Sequence, residues 1–244
     1  MKKIILLFSA LLMIKSINAQ TQEETLPSFK KIIVSPRISV ILQKGDKESI
    51  RLLCNNISPE MVNVRVDRHT LRLFLDRARI VEKQVPDGIR HHKRSVYSDV
   101  SVTAYVTYRE LKELEIRGDG EISCETEIST EKLKLRAYGE AEIRLASLKA
   151  RKFKASLYGV NRLQIRSGEA VTQVYRLFGE NKVDTRGLSS TTASARIYGE
   201  GKLSLNASDK VRLNAIGEPF IMVSGNAKVS KGITVGRVSV NEGL

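Results

Sequence analysis

Six short segments of similar sequence recur along the second half of the chain, and they decide its fold. They are Ile116-Arg117-Gly118-Asp119, Ala137-Tyr138-Gly139-Glu140, Leu157-Tyr158-Gly159-Val160, Leu177-Phe178-Gly179-Glu180, Ile197-Tyr198-Gly199-Glu200 and Ala215-Ile216-Gly217-Glu218. Their glycines recur at a spacing of about 20 residues, and a fixed period of this length is typical of solenoid proteins, in which each repeat is one structural unit. The series therefore predicts about six successive β-coils.

Apolar residues occupy four fixed positions of the repeat, at four and two residues before the glycine and four and six residues after it, with Thr185 as the polar exception. Around Gly139 these positions hold Leu135, Ala137, Ile143 and Leu145, with charged or polar residues between them. This alternation predicts two short strands flanking a glycine turn, where the glycine provides a positive φ or the absence of a Cβ. One coil cannot bury its apolar face alone, so equivalent strands must stack in parallel. The prediction is an all-β, parallel β-solenoid.

Before residue 110 the chain shows strand-like alternation without the repeat. We interpret residues 20–110 as an antiparallel-rich N-terminal β region that covers the open edge of the first coil. Residues 111–244 form the solenoid, and its tail from residue 224 is assigned to a C-terminal cap. Gly45 and Asp46 predict a hairpin turn between two strands. Residues 77–99 are predicted to form a long basic loop.

Residues 1–19 have the layout of a secretory signal peptide. Two lysines precede an apolar run at residues 4–14, and small or polar residues follow up to Ala19. The run is shorter than the ~20 residues that a transmembrane helix needs. Cleavage after Ala19 would expose Gln20 rather than the cysteine of a lipoprotein. We therefore expect an exported protein without a transmembrane anchor, located in the periplasm, at the cell surface or outside the cell.

The chain is strongly basic, with 41 Lys and Arg residues against 27 Asp and Glu residues. Loss of the three lysines in the signal peptide changes the formal net charge from +14 to +11. In an exported protein this charge favours lipopolysaccharide, acidic glycans or membrane surfaces as partners, and disfavours nucleic acid. The alternative interpretation is a solvated basic surface with no dedicated partner.

The N-terminal part of the chain carries a resemblance to a known family. The segments Phe29-Lys-Lys-Ile-Ile-Val-Ser35 and Ile38-Ser-Val-Ile-Leu-Gln-Lys-Gly-Asp46, followed by coils with a glycine corner, resemble the putative auto-transporter adhesin, head GIN domain family of Bacteroidetes envelope proteins. Family members typically have a Ser-Gly-Ala-Gly-like corner, where this chain has Tyr-Gly-Glu or a variant. The resemblance implies a right-handed parallel β-helix and a cell-envelope location. It transfers no catalytic residues.

The residue before the glycine is the most distinctive feature of the repeat. Four successive coils place an aromatic residue there: Tyr138, Tyr158, Phe178 and Tyr198. In-register stacking would set neighbouring rings ~4.8 Å apart, and strand parity directs them away from the core. They are candidates for a strip that binds sugar rings. The alternative is a purely structural ladder that stabilises the corner by ~0.5–1.5 kcal/mol per pair.

The residue after the glycine is usually acidic, and the column reads Asp119, Glu140, Val160, Glu180, Glu200 and Glu218. Like charges one strand apart repel each other. Solvent, a bound cation or the basic column Arg162, Lys182 and Lys202 must offset the repulsion. Calcium would suit such oxygen ligands, but we interpret these side chains as solvated. We add Glu140, Glu180 and Glu200 to the candidate binding surface, and we predict no metal site.

An enzyme that acts on polysaccharides is an alternative, because such chemistry can rest on two carboxylates at a defined separation. Glu121 and Glu142 would be neighbours on adjacent coils, but acidic neighbours recur along the chain. His91 and His92 lack a third metal ligand nearby in the sequence. We therefore predict no catalytic residues, no cofactor and no enzymatic activity.

The two cysteines are Cys54 and Cys124. Cys124 falls in an interior column, which favours a buried thiol, although a bridge to Cys54 stays open. The leading hypothesis is a non-enzymatic envelope or secreted β-solenoid that acts as an adhesin-like module for glycans or envelope components. A polysaccharide-active enzyme and a purely structural envelope protein are the alternatives.

Overall fold

The computed structural model describes residues 23–80, 84–86, 93–97 and 99–243. The predicted signal peptide and the pair His91 and His92 lie outside the described residues. Within these ranges the regular structure consists of strands and one turn of 3-10 helix, Pro59–Met61. The N-terminal strands are β1 (Glu24–Thr25), β2 (Lys31–Val34), β3 (Ile38–Lys44), β4 (Ser49–Asn55), β5 (Val62–Asp67), β6 (Thr70–Leu75), β7 (Gln84–Pro86), β8 (Lys93–Ser95) and β9 (Ser101–Tyr108). The later strands are β10 (Glu113–Gly118), β11 (Glu121–Gly139), β12 (Glu142–Gly159), β13 (Arg162–Gly179), β14 (Asn181–Thr185), β15 (Leu188–Asn206), β16 (Lys210–Ser224), β17 (Lys228–Val235) and β18 (Ser239–Glu242).

The strands from β10 onward form a parallel β-solenoid, as the repeat predicts. Equivalent residues of successive coils are paired, so that Leu135 lies opposite Ala155, and Ala155 opposite Tyr175. All residues of the four predicted interior columns are at most 3% exposed. The predicted fold class and its interior positions are therefore confirmed.

The coils are more continuous than two short strands flanking a turn. Strands β11, β12, β13 and β15 are 18 to 19 residues long and keep their pairing through the corner opposite the glycine. This continuity buries an additional column that the repeat did not reveal, formed by Leu133, Phe153, Gln173, Ala193 and Val211. The core is therefore wider than the sequence pattern indicates.

Gln173 is the polar member of this additional column, and its amide is satisfied inside the core. Its Nε2 donates to the carbonyls of Leu188 at 2.9 Å and Asn206 at 3.0 Å. Its Oε1 accepts from the hydroxyl of Tyr175, which is also 2.6 Å from Oγ1 of Thr185. Because buried polar groups are costly without partners, this network lets the coil tolerate polar residues next to the break between β14 and β15.

The parallel stack begins earlier than the repeat, because the N-terminal region adds two further layers. Strand β2 pairs in parallel with β10, and β3 pairs in parallel with β11. In the next layer, β6 pairs in parallel with β2, and β9 with β3. Strands β5 and β4 then pair antiparallel with β6 and β9 at the outer edge. The strands that pair with the first repeat coils are thus parallel, and the antiparallel strands lie one layer further out. The role of this region as a cap stays a prediction.

Two local predictions in this region are wrong. Strands β3 and β4 do not form a hairpin through Gly45, because β9 lies between them and pairs with both. The segment 77–99 is not simply a loop, since it contains the antiparallel pair β7 and β8. Near its end Tyr97 is buried and donates its hydroxyl proton to the carbonyl of Asp76 at 2.6 Å.

The tail continues the solenoid. Strands β17 and β18 both pair in parallel with β16. Pro219 lies buried at the glycine corner, opposite Gly201. The tail therefore extends the stack by one incomplete coil, and its role as a cap stays a prediction.

Candidate functional site

The glycine corner is built on a backbone that only glycine can adopt. Gly139 has a φ of 118° and Gly199 a φ of 122°. A Cβ on Gly199 would lie 2.8 Å from the carbonyl oxygen of Gly179 in the preceding coil. Both reasons for the repeated glycine therefore apply, positive φ and the absence of space. Each glycine lets the two flanking residues of its coil reach the surface in register.

Two buried asparagines hold the corner from inside. Asn161 donates from Nδ2 to Oδ1 of Asn181 at 2.9 Å, and Asn181 donates to the carbonyl of Phe178 at 3.0 Å. Oδ1 of Asn161 accepts from the backbone N–H of Ala141 at 3.1 Å. This amide ladder fixes the corner of three successive coils. The repeat did not single it out, because the same position is Gly or Ala in the neighbouring coils.

The aromatic column lies at the surface, half-exposed, and its rings stack face to face. Centroids are 5.1 Å apart between Tyr138 and Tyr158, and 4.9 Å apart for the next two pairs. The ring planes are inclined by only 5° to 6°. Because neighbouring rings cover each other, the faces of Tyr158 and Phe178 are occupied. The column presents ring edges and hydroxyl groups to solvent rather than a flat strip of ring faces.

Tyr138 is the terminal ring of this column and borders a cleft. Tyr158 covers one of its faces, and on the other side its paired neighbour is Arg117 of β10. Among the described residues no second ring and no cation is centred over that face. The cleft has a volume of about 920 Å3, and its lining includes Pro36, Ile80 and Arg117. Sequence reasoning missed this cleft, because Pro36 and Ile80 reach it from distant parts of the chain.

Charged groups line the same cleft close to Tyr138. Arg117 donates from Nε to Oε1 of Glu115 at 2.9 Å, which draws its guanidinium toward that carboxylate. Asp119 pairs with Arg37 at 3.2 Å. Glu140 is exposed and has no ion pair among the described residues. The cleft therefore combines one aromatic ring with several hydrogen-bonding groups, an arrangement typical of small-ligand sites.

The acidic column is exposed along its whole length, as the interpretation of solvated side chains requires. Its two ends are neutralised, Asp119 by Arg37 and Glu218 by Arg237 at 2.8 Å. The basic column Arg162, Lys182 and Lys202 is in register on the same side of the core, but no ion pair joins the two columns within the described residues. No group of three potential metal ligands occurs in the part of the chain that the structure describes.

The carboxylate pair considered for catalysis is bridged by an arginine. Glu121 and Glu142 lie opposite each other on adjacent coils. Arg144 contacts both carboxylates, Glu142 at 2.8 Å and Glu121 more closely. Both carboxylates are therefore engaged in ion pairs with one arginine.

The cysteines are both free thiols. Cys124 is fully buried, as its interior column predicts, and its Sγ lies 3.3 Å from the carbonyl of Thr126. Cys54 is half-buried on β4, and burial raises the pKa of its thiol. The two residues contribute to packing and do not join the N-terminal region to the solenoid.

An ionic cluster joins the first coil to the N-terminal region. Glu113 pairs with Lys31 at 2.7 Å, although the two residues are 82 positions apart, and it also contacts Arg136. Glu115 pairs with Lys31 at 3.3 Å and with Arg117 at 2.5 Å. Burial raises the pKa of both carboxyls, but their hydrogen bonds and the nearby cations outweigh it, so that both pKa values are lowered.

This cluster predicts a loss of stability in acid. A carboxyl with a lowered pKa stabilises the fold above its unfolded pKa of about 4.3, and that contribution disappears as the pH falls through the folded pKa. We expect the melting temperature to fall between about pH 5 and pH 3 and Glu115→Gln to weaken this dependence. Thermal melts followed by circular dichroism across this range measure the effect. Glu200→Gln, at an exposed position without an ion pair among the described residues, is the control, and equal pH profiles for both variants would contradict the prediction.

Fold and ladders together define the class of the protein, a parallel β-solenoid whose repeated corner displays stacked side chains. No helix in the described ranges is long and apolar enough to cross a membrane. The sequence pattern of the family described as putative auto-transporter adhesin, head GIN domain, matches residues 28–227. The chain belongs to this family, and the predicted resemblance is confirmed.

Solved structures with the same fold come from Bacteroides and Parabacteroides species. A putative adhesin from Bacteroides fragilis is 17% identical, with a TM-score of 0.71, and the match covers 90% of this chain and 94% of that one. A putative adhesin from Parabacteroides merdae is 15% identical, with a TM-score of 0.66 and the same coverage. A putative lipid binding protein from Parabacteroides distasonis is 15% identical, with a TM-score of 0.58, covering 91% and 95%. At these identities the likeness concerns the fold, and no curated protein matches the sequence.

Proposed function

We propose that this protein is a non-enzymatic, exported module of the cell envelope that binds glycans at the N-terminal end of its aromatic column. The observation that carries this proposal is the position of Tyr138, the terminal ring of the column, in the lining of the cleft of about 920 Å3. The apolar face of a sugar ring packs well against an aromatic face, and sugar hydroxyls bond to carboxylates and guanidinium groups. The cleft provides both kinds of contact.

The rest of the candidate surface extends this site along the solenoid. The edges of Tyr158, Phe178 and Tyr198 continue from Tyr138 at intervals of 4.9 to 5.1 Å, with Glu180 and Glu200 beside them. These edges and carboxylates offer hydrogen bonds and shallow apolar contacts to further sugar units. Their stacking also keeps Tyr138 in place, because each ring is packed on the next.

Binding is favoured over catalysis and over a purely structural role by two kinds of evidence. The family is described as putative auto-transporter adhesin, and adhesins bind partners rather than transform them. Within the described residues, the candidate acid pair Glu121 and Glu142 is held by Arg144. The signal-peptide layout of residues 1–19 supports export. The neighbour described as a putative lipid binding protein makes an envelope lipid the second ligand class to test.

Replacing Tyr138 by alanine is expected to weaken glycan binding about tenfold, which corresponds to about 1.4 kcal/mol. Tyr198→Ala is the comparison, because Tyr198 is 42% exposed where Tyr138 is 40% and ends the same stack away from the cleft. It should weaken binding less than Tyr138→Ala, since Tyr198 offers only its edge to the outer sugar units. Each variant loses one stacked pair, so both should lose about 0.5–1.5 kcal/mol of stability. A glycan array identifies a ligand, and calorimetric titration compares the variants.

Three results would contradict the proposal. The protein would bind no neutral or acidic glycan, or Tyr138→Ala and Tyr198→Ala would weaken binding equally, or the protein would cleave its ligand. The last result is checked by incubation with pectin, alginate and glycosaminoglycans, with and without calcium. Loss of stability in both variants without any ligand would favour the purely structural alternative.

A further inference from the structure

The sheet that precedes the glycine corner has a strongly basic outer face. On strands β11, β12, β13, β15 and β16, the residues that point outward lie three, five and seven positions before the corner glycine. The pairing of the strands aligns them in three columns. From β12 onward these columns contain no carboxylate, and six cations of this face lie on four successive strands: Lys152, Lys154, Arg176, Arg196, Lys210 and Arg212. We call this surface the basic face. The sequence analysis did not identify the basic face. Cations at every second position of a strand, as in Lys132, Lys134 and Arg136, point to one side of the sheet and indicate such a face.

The acidic partners of these columns lie on β10, the strand that precedes them in the stack. Glu113 and Glu115 on β10 neutralise Lys134 and Arg136. The six cations of the basic face have no carboxylate within 4.0 Å among the described residues. All but Lys154 are exposed. The charge of the basic face is therefore free to attract an external anion.

A shallow depression of about 190 Å3 lies in the middle of the basic face. Arg176, Arg196 and Arg212 surround it, with the small side chains Val174 and Ser194 among its lining residues. Arg176 on β13 and Arg196 on β15 are paired neighbours. Arg212 on β16 lies opposite Ser194 of β15. Arginine binds carboxylate, sulfate or phosphate groups with two parallel hydrogen bonds. The depression thus has the shape and charge to seat one anionic group.

Burial, together with the crowding of like charges on the basic face, lowers the pKa of Lys154. Burial is the largest cause, and the charges of Arg176, Arg136, Lys132 and Lys134 add to it. Positive charges held at the spacing of adjacent strands repel one another. An anion that bridges them would relieve this repulsion, so that anion binding is favoured electrostatically.

We propose that the basic face binds a linear acidic polysaccharide whose chain runs along the solenoid axis, with a sulfate or carboxylate group seated between Arg176, Arg196 and Arg212. This inference rests on the proposed glycan-binding function and names its ligand class. Each of the four strands carries at least one of these cations, and Arg176 and Arg196 are direct neighbours in successive coils. A row of cations that continues over four coils suits a ligand with repeated charges. A membrane surface fits less well, because binding at a lipid interface needs large apolar side chains, and the three columns from β12 to β16 offer only Val174.

The test measures binding of dextran sulfate, polygalacturonate and neutral dextran to the purified protein by calorimetry at low and moderate salt. Both polyanions should bind, neutral dextran should not, and salt should weaken the binding because it screens exposed charges. Arg196→Glu is expected to lower the affinity for the polyanions about tenfold or more, because it replaces a cation in the centre of the basic face by an anion. Lys182→Glu changes the net charge equally on the other side of the glycine corner and should lower the affinity much less.

Each alternative outcome overturns the inference. Equal losses in Arg196→Glu and Lys182→Glu would mean that only net charge attracts the polymer. Vesicles of phosphatidylcholine and phosphatidylglycerol that bind in an Arg196-dependent way, without polysaccharide binding, would assign the basic face to a membrane. Glycan binding that depends on Tyr138 but not on Arg196 would remove this inference and leave the proposed function intact. Absence of binding to any glycan would remove both.

Discussion

Replacing Gly199 by alanine is expected to destabilise the protein by about 3 kcal/mol or more, because two costs combine. A φ of 122° is open to glycine and costs another residue about 1–3 kcal/mol. The new Cβ would also lie 2.8 Å from the carbonyl oxygen and 3.2 Å from the Cα of Gly179. Since these are backbone atoms of a paired coil, relief requires the coils to separate locally, and overpacking of this kind costs about 1–3 kcal/mol.

Urea denaturation followed by circular dichroism measures this loss. Gly243→Ala is the control, because a Cβ at Gly243 meets no atom within 4 Å. We expect the control to change the free energy of unfolding by less than about 0.5 kcal/mol. If Gly199→Ala were as stable as the control, the corner would not depend on glycine in every coil.

Truncating Phe153 to alanine is expected to cost about 3–5 kcal/mol. The ring is fully buried in the additional interior column and packs edge-on against Tyr175, with centroids 6.1 Å apart. Close-packed coils above and below cannot collapse into the cavity, because their backbones are tied by parallel pairing. The loss should appear as a lower urea midpoint with an unchanged slope.

Val171→Ala is the matched control for this truncation. Val171 lies on the next coil but is 50% exposed, so its shortening should change stability by about 0.5 kcal/mol or less. A loss below about 1 kcal/mol for Phe153→Ala would show that the coil relaxes around the missing ring. That result would also mean that the wider core contributes little to the fold.

The candidate site could be predicted from the sequence only in part. The column Tyr138, Tyr158, Phe178 and Tyr198 was found at its correct register and on the surface, because strand parity determines the side of the sheet. Sequence could not show that the rings stack face to face, which leaves Tyr138 as the ring beside the cleft. The orientation of a ring depends on its side-chain torsion angles and on its neighbours in space. The spacing of residues along the sequence specifies neither.

The sequence by itself determined the period, the glycine corners and four interior columns of the solenoid. In parallel in-register stacking, the spatial neighbour of a residue is its own copy one repeat away, so that a linear pattern translates directly into a spatial one. For example, Ala155 is paired with Leu135 on one side and with Tyr175 on the other, because the three residues hold the same position in successive repeats.

Contacts between segments that are not copies of one repeat were decided only by the tertiary structure. The placement of β9 between β3 and β4 depends on pairing energies between segments without a common period. The link from Lys31 to Glu113 joins residues 82 positions apart. The cations of the basic face lack ion pairs because the folded chain brings no carboxylate near them among the described residues. Contacts between unlike segments follow from folding of the whole chain, so a repeat cannot encode them.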